Sequence, residues 1–377
     1  MDNIFEQSLE FHERNKGKIE VRSKVPLDNK EALSLAYTPG VAEVSKRIAK
    51  NPEDAYRYTL KQNSIAVVSD GSAVLGLGNL GAKAAIPVME GKAAIFKEFA
   101  GIDAFPICLD TQDTEKIIKT IKMISPVFGG INLEDISAPR CFEIERRLAE
   151  ELDITVMHDD QHGTATVVLA GLINSLKLRG TKKEDATVLI NGVGAAGSAI
   201  AYILALYGFK NILLCDTHGL IYEGRDNLSD EKIKLSQITN KEKIKGSLED
   251  GLKFSDIFIG VSKAGLLNAD HIKMMKEQPI IFALANPTPE IMPDIAKGAG
   301  AFIYASGRSD FPNQVNNALV FPGIFRGLLD KRIKKINNEI FIKAAEALAG
   351  HNKNLSVDQI LPDLYDKSIV DSIKNSF

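Results

Sequence analysis

The sequence contains few of the residues that mark specialised protein classes. It has no tryptophan, and its three cysteines, Cys108, Cys141 and Cys215, are far apart and form no Cys-x-x-Cys pair. Neither a disulfide framework nor a zinc knuckle is therefore indicated, and we expect a reducing, cytoplasmic compartment. Internal repeats and low-complexity segments are also missing, so nothing indicates a repeat protein.

Neither sign of charge dominates, and no long hydrophobic run is present. Lysine and arginine total 46 against 49 aspartate and glutamate residues, which gives a net charge of −3 without a tail of one sign. Binding to nucleic acid or to an anionic membrane surface is therefore not expected. No stretch approaches the ~18 apolar residues needed to span a bilayer, and the N-terminal residues include no apolar signal segment. The expected partner is a small molecule.

The length of 377 residues and the apolar content of 45% predict two domains, because a single core rarely grows so large. From residue 187 onward, short apolar runs alternate with helical stretches, which is typical of a parallel sheet covered on both faces. We predict an α/β fold, with an N-terminal α/β catalytic domain over residues 1–157. A Rossmann-like doubly wound parallel-sheet NAD-binding domain, residues 158–377, is predicted to follow it.

The hydrophobic pattern also predicts individual elements. The predicted strands are residues 64–69, 104–110, 154–159, 187–190, 211–216, 255–260, 280–285 and 302–306. The predicted helices include residues 30–36, 83–99, 140–152, 195–208 and a largely buried helix at 163–178. Helical segments near the end of the chain have apolar faces that either close the core or meet a partner.

A Gly-x-Gly-x-x-Gly pattern occurs twice, at Gly76–Gly81 and at Gly192–Gly197. The second copy follows a predicted strand, opens a predicted helix and precedes a strand that ends in Asp216. That context is typical of a dinucleotide site, in which the glycines, with Ala195 and Ala196, bring the helix N-terminus to the pyrophosphate and the acid accepts from the ribose. The first copy lacks this frame and is interpreted as a loop that lines a pocket, or as a plain turn.

The residue after Asp216 bears on the choice of cofactor. It is Thr217 rather than a cation, which favours NAD over NADP because a 2′-phosphate would meet a carboxylate with no adjacent positive charge. Arg225, Lys232 and Lys234 follow closely enough that one of them could fold back onto a phosphate. NAD is therefore the predicted cofactor, with NADP as the alternative.

Two acidic pairs, Glu134-Asp135 and Asp159-Asp160, indicate a metal site. Three or four oxygen ligands from two segments suit a hard divalent cation, Mg²⁺ or Mn²⁺. Without further context, such a pair is equally read as a solvated turn or a helix cap. The flanking His158 and His162 are poor ligands for Mg²⁺ and are interpreted as surrounding residues.

Taken as a whole, the chain resembles the malic enzymes, specifically their short bacterial form. The resemblance is carried, in order, by the motifs SLAYTPGVAE, VVSDGSAVLGLGNLGAKAAIPVMEGKAAIFKEF, INLEDI, HDDQHGTA, NGVGAAG and FALANPTPE. It implies divalent-metal-dependent oxidative decarboxylation of L-malate to pyruvate and CO₂, with reduction of NAD or NADP.

Position by position, the resemblance implies three ligands for Mg²⁺ or Mn²⁺, Glu134, Asp135 and Asp160, and three catalytic residues, Tyr37, Lys92 and Asp159. Lys92 would take the hydroxyl proton, Asp159 would orient it, and Tyr37 would protonate the enol. We expect a lowered pKa for Lys92, because a desolvated ammonium near a cation favours the neutral amine. Without the resemblance, Lys92 reads as a surface lysine and Tyr37 as a packed turn residue.

Substrate binding departs from the family pattern at one position. Longer members carry an arginine for a substrate carboxylate where this chain has Ala73. The resemblance implies that Asn286 and Asn317 hold substrate and nicotinamide, while Asn316 is interpreted as structural. The carboxylate is therefore expected to bind Ser72, Asn286, Asn317 or a residue of a second subunit. Because the family is oligomeric, we predict a homodimer.

Two other functions fit part of the pattern. An amino-acid or shikimate-type dehydrogenase also pairs a catalytic domain with a later Rossmann domain, but it has no need of the predicted metal ligands. A nucleotide-sensing or assembly protein would keep the fold without the chemistry. The combination of the three carboxylate ligands with Tyr37, Lys92 and Asp159 favours a metal-dependent enzyme.

Overall fold

Buried apolar strands form two separate sheets, which frame the molecule. The structure is a computed structural model that describes residues 2–377. Its strands are β1 Ser64–Ser69, β2 Asp103–Cys108, β3 Gly130–Leu133, β4 Thr155–His158, β5 Thr187–Asn191, β6 Asn211–Asp216, β7 Gly219–Leu220, β8 Ile257–Gly260, β9 Ile280–Ala283 and β10 Ile303–Ser306. Its helices are α1 Asp2–Asn15, α2 Lys30–Ala36, α3 Val41–Lys50, α4 Asp54–Tyr58, α5 Ala82–Ala100, α6 Thr114–Ile124, α7 Arg140–Glu151, α8 Asp159–Arg179, α9 Ala195–Tyr207, α10 Asp230–Ile238, α11 Leu248–Leu252, α12 Ala269–Met274, α13 Pro293–Gly298, α14 Phe321–Asp330, α15 Asn338–His351 and α16 Ser368–Lys374.

Strand order explains where each sheet can bind a ligand. The first sheet has the order β2-β1-β3-β4 and the second β10-β9-β8-β5-β6-β7, and all neighbours are parallel except β6 and β7. In the second sheet the chain passes from β5 to β6 on one side and then crosses to β8 on the other. The crevice at such a switch point is the ligand site of doubly wound sheets. The predicted α/β fold with a doubly wound parallel sheet is confirmed.

Several predicted elements have the observed bounds, and others differ. Strands β1 and β6 and helix α2 coincide with the predictions for residues 64–69, 211–216 and 30–36. The strand predicted at 280–285 ends earlier, at Ala283, and β3 had no predicted counterpart. Apolar runs therefore identified nearly all of the longer strands, whereas β3 was missed.

The central helix α8 begins at Asp159, so the prediction that it starts at Gly163 is wrong. Negative side chains in a first turn interact favourably with the positive helix N-terminus, which explains why Asp159 and Asp160 extend the helix. The helix ends at Gly180, whose φ of 69° is a left-handed conformation that glycine adopts readily. Both carboxylates therefore stand on a rigid helix. Neither α8 nor any other helix within residues 2–377 is long and apolar enough to cross a membrane.

The helices near the end of the chain close the core. Helix α14 buries most of its residues, and the rings of Phe321 and Phe325 lie 4.6 and 5.3 Å from that of Phe96 on α5. Helices α15 and α16 contribute buried residues to the same core. Of the two interpretations of these apolar faces, closure of the core is the one observed.

The N-terminal segment of the chain, unlike its C-terminal helices, contributes no buried residues to the core. No residue from 4 to 63, the segment called the N-terminal arm below, is buried. Lys18 donates to Glu90 and to the Pro87 carbonyl, and Lys24 pairs with Asp103 at 3.0 Å. Beyond these contacts, helices α2, α3 and α4 bury none of their residues. The arm thus crosses α5 and leaves an apolar surface uncovered.

Candidate functional site

The carboxyl ends of β3 and β4 bring the predicted acidic pairs together. Glu134 and Asp135 follow β3 directly, and Asp159 and Asp160 follow β4 as the first turn of α8. The two strands are parallel neighbours, with Leu133 opposite His158. Because the carboxyl ends of parallel strands share one edge of a sheet, residues distant in sequence meet there.

Lys92 lies at the centre of this acidic cluster. It projects from α5, is 6% exposed, and its Nζ donates to Glu134 Oε1 at 2.9 Å and to Asp159 Oδ2. The ammonium also lies 4.0 Å from the centre of the Phe321 ring. A buried lysine held between two carboxylates is not the surface lysine that the alternative interpretation described. Lys92 and Asp159 form the pair that the resemblance implied.

Without a cation, the surroundings of Lys92 favour its charged form. Burial lowers the pKa of Lys92, but the carboxylates of Asp159 and Glu134 raise it above its usual value. Two negative side chains contact the ammonium directly, and opposite charges favour the charged form. The expectation of a lowered pKa assumed a nearby cation, so it stays a prediction for the site with metal bound.

Asn317 is also part of the cluster. Its Nδ2 donates to Asp159 Oδ2 at 2.5 Å, although 158 positions separate the two residues in the sequence. The neighbouring Asn316 instead accepts from the Ala318 amide and caps a short helical turn, as its structural interpretation required. The amide of Asn317 thus shares one carboxylate oxygen with Lys92.

The donor set suits a hard cation. Burial and the Asp160 carboxylate raise the pKa of Asp135 from 3.8 to about 7, and burial raises that of Glu134 well above its usual value. Asp135 Oδ2 is buried without a hydrogen-bond partner within residues 2–377. Crowded carboxylates with an unpartnered oxygen are the chemistry that Mg²⁺ or Mn²⁺ compensates.

These carboxylates are not arranged as a finished coordination shell. Among the described residues, no group of three or more acidic, histidine or cysteine side chains stands ready to hold a metal. Glu134 points one oxygen at Lys92, and Asp160 Oδ2 accepts from the Asp135 amide at 2.7 Å. A cation that took Glu134 as a ligand would therefore have to compete with Lys92 for it.

Ser72 is buried but already fully hydrogen-bonded. Its hydroxyl donates to Asp70 at 2.5 Å and accepts from the Ser137 amide and from Arg140 Nη2, both at 2.9 Å. Arg140 Nη1 donates to Asp70 Oδ2 at 2.8 Å. Ser72 thus ties the loop after β1 to the start of α7, and its role in substrate binding stays a prediction. No sequence signal pointed to Arg140.

Tyr37 is not part of this cluster within one chain. It ends α2 on the N-terminal arm and is 67% exposed. Its hydroxyl makes no hydrogen bond to any residue between 2 and 377. It is therefore not the packed turn residue of the alternative interpretation but lies on the surface of the single chain.

The second glycine pattern lies between β5 and α9, at the switch point of the second sheet. Gly192 has φ 103°, and a Cβ there would lie 2.7 Å from the Val261 carbonyl oxygen. A Cβ at Gly197 would lie 1.8 Å from the Gly192 oxygen. The turn and the helix can therefore pack this closely only if both positions are glycine. A Cβ at Gly194 would meet no protein atom within 4 Å. That open side, beside the uncapped amides of Ala195 and Ala196, suits a pyrophosphate.

The acid at the end of β6 is surrounded by cations. Asp216 Oδ2 accepts from Arg225 Nη2 and from Lys232 Nζ, each at 2.6 Å. Although burial opposes it, these two hydrogen bonds hold the pKa of Asp216 well below its usual range. Lys234 instead pairs with Glu231. The argument for NAD assumed no adjacent positive charge, and that premise is wrong; the preference itself stays a prediction.

Asn286 lies where the two halves of the molecule approach each other. It follows β9, is exposed, and has a cis peptide bond to Pro287. A Cβ at Gly76 would lie 2.5 Å from the Asn286 carbonyl oxygen, so the first glycine pattern is a loop that contacts the NAD-binding half. Asn286 makes no hydrogen bond to Lys92 or Asp159 within residues 2–377. Its roles toward substrate and nicotinamide stay predictions.

Three supporting residues had no recognisable sequence signal. Asn132 Nδ2 donates to Glu134 Oε2 at 2.9 Å, and Glu145 and Gln161 hydrogen-bond to each other behind Asp160 at 2.9 Å. Asn132 lies only two residues from Glu134, whereas Glu145 on α7 and Gln161 on α8 are 16 residues apart. Neither contact follows from a recognisable motif.

Comparison with known proteins gives consistent matches. Residues 16–116 and 111–149 match the malic enzyme N-terminal domain, and residues 161–372 match the malic enzyme NAD binding domain. A bifunctional malic/malolactic enzyme of Bacillus subtilis (strain 168) is 53% identical over 374 residues, which cover 98% of this chain and 91% of the relative. An NAD-dependent malic enzyme of Geobacillus stearothermophilus is 53% identical over 362 residues, 96% of this chain and 76% of the relative. The crystal structure of an NAD-dependent malic enzyme from Thermotoga maritima has a TM-score of 0.94 and 49% identity, with 98% of both chains covered.

Proposed function

The chain belongs to the malic enzyme family, and from that premise we propose which of its residues carry out the oxidative decarboxylation of malate to pyruvate and CO₂ with NAD(P). The observation that carries the proposal is the burial of Lys92 between Asp159 and Glu134, beside the carboxylates of Asp135 and Asp160. A base, an orienting acid and oxygen ligands thereby meet at one sheet edge. The amino-acid and shikimate dehydrogenase alternatives have no need of such a carboxylate set.

Glu134, Asp135 and Asp160 are the proposed ligands of Mg²⁺ or Mn²⁺. Support comes from the unpartnered Asp135 Oδ2 and from the raised pKa values of Glu134 and Asp135. When bound, the cation would act as a Lewis acid toward the C2 oxygen and as an electron sink during loss of CO₂. Asp160 would offer Oδ1, since its Oδ2 is taken by the Asp135 amide.

Lys92 is the proposed base for the C2 hydroxyl proton, which must leave as hydride passes from C2 to the nicotinamide. Glu134 is one of two carboxylates that raise the pKa of Lys92. Once Glu134 is engaged by a cation, that contribution would be weakened, and burial together with the nearby positive charge would lower the pKa of Lys92 against the remaining effect of Asp159. Asp159 keeps the amine in place, and Asn317 fixes Asp159 from the opposite side. Tyr37 is the proposed donor of a proton to C3.

The glycine turn at Gly192 and the amides at the start of α9 are the proposed pyrophosphate site, and Asp216 the proposed acceptor for the ribose hydroxyls. Asn286, at the contact between the two halves, is proposed to face the nicotinamide and the substrate, together with Asn317. The bound cofactor would take the hydride from C2. We place the domain boundary between residues 157 and 158, one residue before β4 ends and α8 begins. Three free cysteines agree with a cytoplasmic location.

We expect kcat/KM with NAD to exceed that with NADP. Asp216 accepts from both Arg225 and Lys232, so a 2′-phosphate must compete with a carboxylate for these cations. Steady-state rates of malate oxidation with each cofactor measure the ratio. A clear preference for NADP would instead identify Arg225 and Lys232 as a phosphate clamp; in that case, Arg225→Gln should weaken NADP binding while NAD binding changes little.

The proposed assembly is a homodimer in which the N-terminal arm of one chain covers the other. No residue from 4 to 63 is buried. Among its large apolar side chains, Leu9, Val21, Leu35 and Tyr37 are 74%, 92%, 71% and 67% exposed. So many exposed large apolar side chains on one segment are typical of an interface. A second copy is the proposed occupant because Tyr37, which the reaction requires, would then reach the Lys92 of its partner.

The two adjacent carboxylates of α8 should respond differently to loss of charge. Asp160→Asn should weaken Mn²⁺ binding about 10²-fold or more, whereas Asp159→Asn should lower kcat with a much smaller change in Mn²⁺ affinity. The reason is that Asp159 contacts Lys92 and Asn317, while only Oδ2 of Asp160 accepts a hydrogen bond within residues 2–377. Mn²⁺ titration followed by electron paramagnetic resonance measures the affinity. Equal losses of affinity in both variants would contradict this division of roles.

A further inference from the structure

A single carboxylate behind the proposed metal site contacts the residues on both sides of Asp159 and Asp160. Glu145 stands on α7, and its side chain is 14% exposed. Its Oε1 accepts from the His158 backbone amide at 2.7 Å, and its Oε2 accepts from Gln161 Nε2 at 2.9 Å. His162 Nε2 lies 3.0 Å from the same carboxylate. The three contacted residues flank Asp159 and Asp160 on both sides.

We propose that Glu145 is a positioning residue, which sets the orientation of Asp160 through Gln161 and His158. The inference rests on the proposed role of Asp160 as a metal ligand. Glu145 itself does not reach the ligand oxygens. It acts through a chain of side chains that runs from α7 to the first turn of α8.

Glu145 determines which groups donate and which accept in the row of hydrogen bonds from Glu145 through Gln161 to His158. A carboxylate can only accept, so Gln161 must present its amide nitrogen to Glu145. The same nitrogen lies 2.9 Å from His158 Nδ1 and supplies its second N–H there. His158 Nδ1 is then an acceptor, and the ring proton stands on Nε2, which lies 3.1 Å from Asp160 Oδ2. Asp160 Oδ2 therefore accepts from the Asp135 amide and lies close to the His158 ring nitrogen without an aligned hydrogen bond to it, and Oδ1 is the oxygen proposed to face a cation.

Hydrogen bonds help to orient Gln161 and His162 because both side chains border cavities. Cavities of about 170 and 240 Å³ border Gln161 and His162, and both are also lined by Asn338 and Phe341. The His162 ring stacks on Phe341 with a centroid distance of 4.6 Å. Side chains beside open space lose their orientation when their polar partners are removed. Hydrogen bonds to Glu145 thus add to packing on the side of the turn that faces these cavities.

Glu145→Gln tests the inference with nearly unchanged shape. The glutamine side chain has one acceptor oxygen instead of two. It therefore cannot replace both hydrogen bonds, the one from the His158 amide and the one from Gln161 Nε2. We expect Mn²⁺ affinity to fall about 10- to 100-fold, the range usual for partners behind a ligand. The affinity for NADH, followed by its fluorescence, should stay within about twofold because the Gly192 turn belongs to the other sheet. The matched control is Glu143→Gln, which removes a charge from the exposed face of the same helix and should leave both affinities unchanged.

A second variant covers the case in which Glu145→Gln does not fold. Gln161→Leu leaves the Glu145 charge in place but interrupts the path to His158, and it should weaken Mn²⁺ binding in the same range. The inference is wrong if a folded Glu145→Gln, or Gln161→Leu in its absence, binds Mn²⁺ within about twofold of wild type. If Asp160→Asn abolishes Mn²⁺ binding in that experiment, only the inference about Glu145 fails. If the wild type itself binds no Mn²⁺, the proposed metal site fails with it.

Discussion

Replacing Lys92 with alanine is expected to slow NADH formation from malate by about 10²- to 10⁴-fold, the usual cost of losing a general base. Decarboxylation of supplied oxaloacetate should change far less. That reaction starts from a ketone, so no hydroxyl proton has to be removed, and it depends mainly on the electron sink that the carboxylate ligands hold. The difference between the two rates therefore isolates the role of the Lys92 amine.

Removal of Lys92 also leaves Glu134 and Asp159 buried without their cation, so folding must be checked. NADH affinity by fluorescence and the unfolding temperature with Mn²⁺ serve this purpose. Lys97→Ala is a matched control, because Lys97 lies on the same helix but is largely exposed. If a folded Lys92→Ala enzyme oxidises malate at nearly the wild-type rate, Lys92 has a structural role and the base is another group.

Mixed dimers are expected to regain activity that each parent variant lacks. Tyr37→Phe and Lys92→Ala homodimers should both be poor catalysts. If Tyr37 serves the site of its partner, one of the two sites in a mixed dimer contains both substitutions and the other contains neither. A mixed dimer should then show about half of the wild-type activity.

The mixed dimers can be isolated by co-expression of the two variants with different affinity tags. Retention of both tags confirms that each dimer contains one chain of each kind. If Tyr37 and Lys92 of the same chain act together, every site has one defect and the mixed dimer stays as inactive as its parents. A monomer by light scattering with full activity would also contradict the shared site, because the exposed arm would then have no partner.

Sequence patterns predicted the fold where they were long and uniform. The apolar runs of β1 and β6 produced the observed bounds, and the glycine turn at Gly192 lies at the switch point that its strand and helix context indicated. The Lys92–Asp159 pair also followed from the motifs. In each case the information is local, or is held by a motif whose parts are each recognisable.

Features that depend on contacts between distant segments were not predictable. Arg225 and Lys232 could be named as candidates, but only the folded β6–β7 turn shows that they already pair with Asp216. The raised pKa of Lys92 likewise follows from two direct carboxylate contacts that residue spacing does not reveal. Glu145 looks like any acid on an amphipathic helix until β4 and α8 are placed against it.

The central claim is that the cluster around Lys92 performs metal-dependent oxidative decarboxylation, and product stoichiometry tests it most directly. Purified protein would be stripped with EDTA and given L-malate and NAD, with and without added Mn²⁺, while NADH and pyruvate are measured together. The account predicts no turnover without metal and formation of NADH and pyruvate in equal amounts once Mn²⁺ is restored. Turnover that persists in EDTA, or NADH formation with oxaloacetate in place of pyruvate, would contradict it.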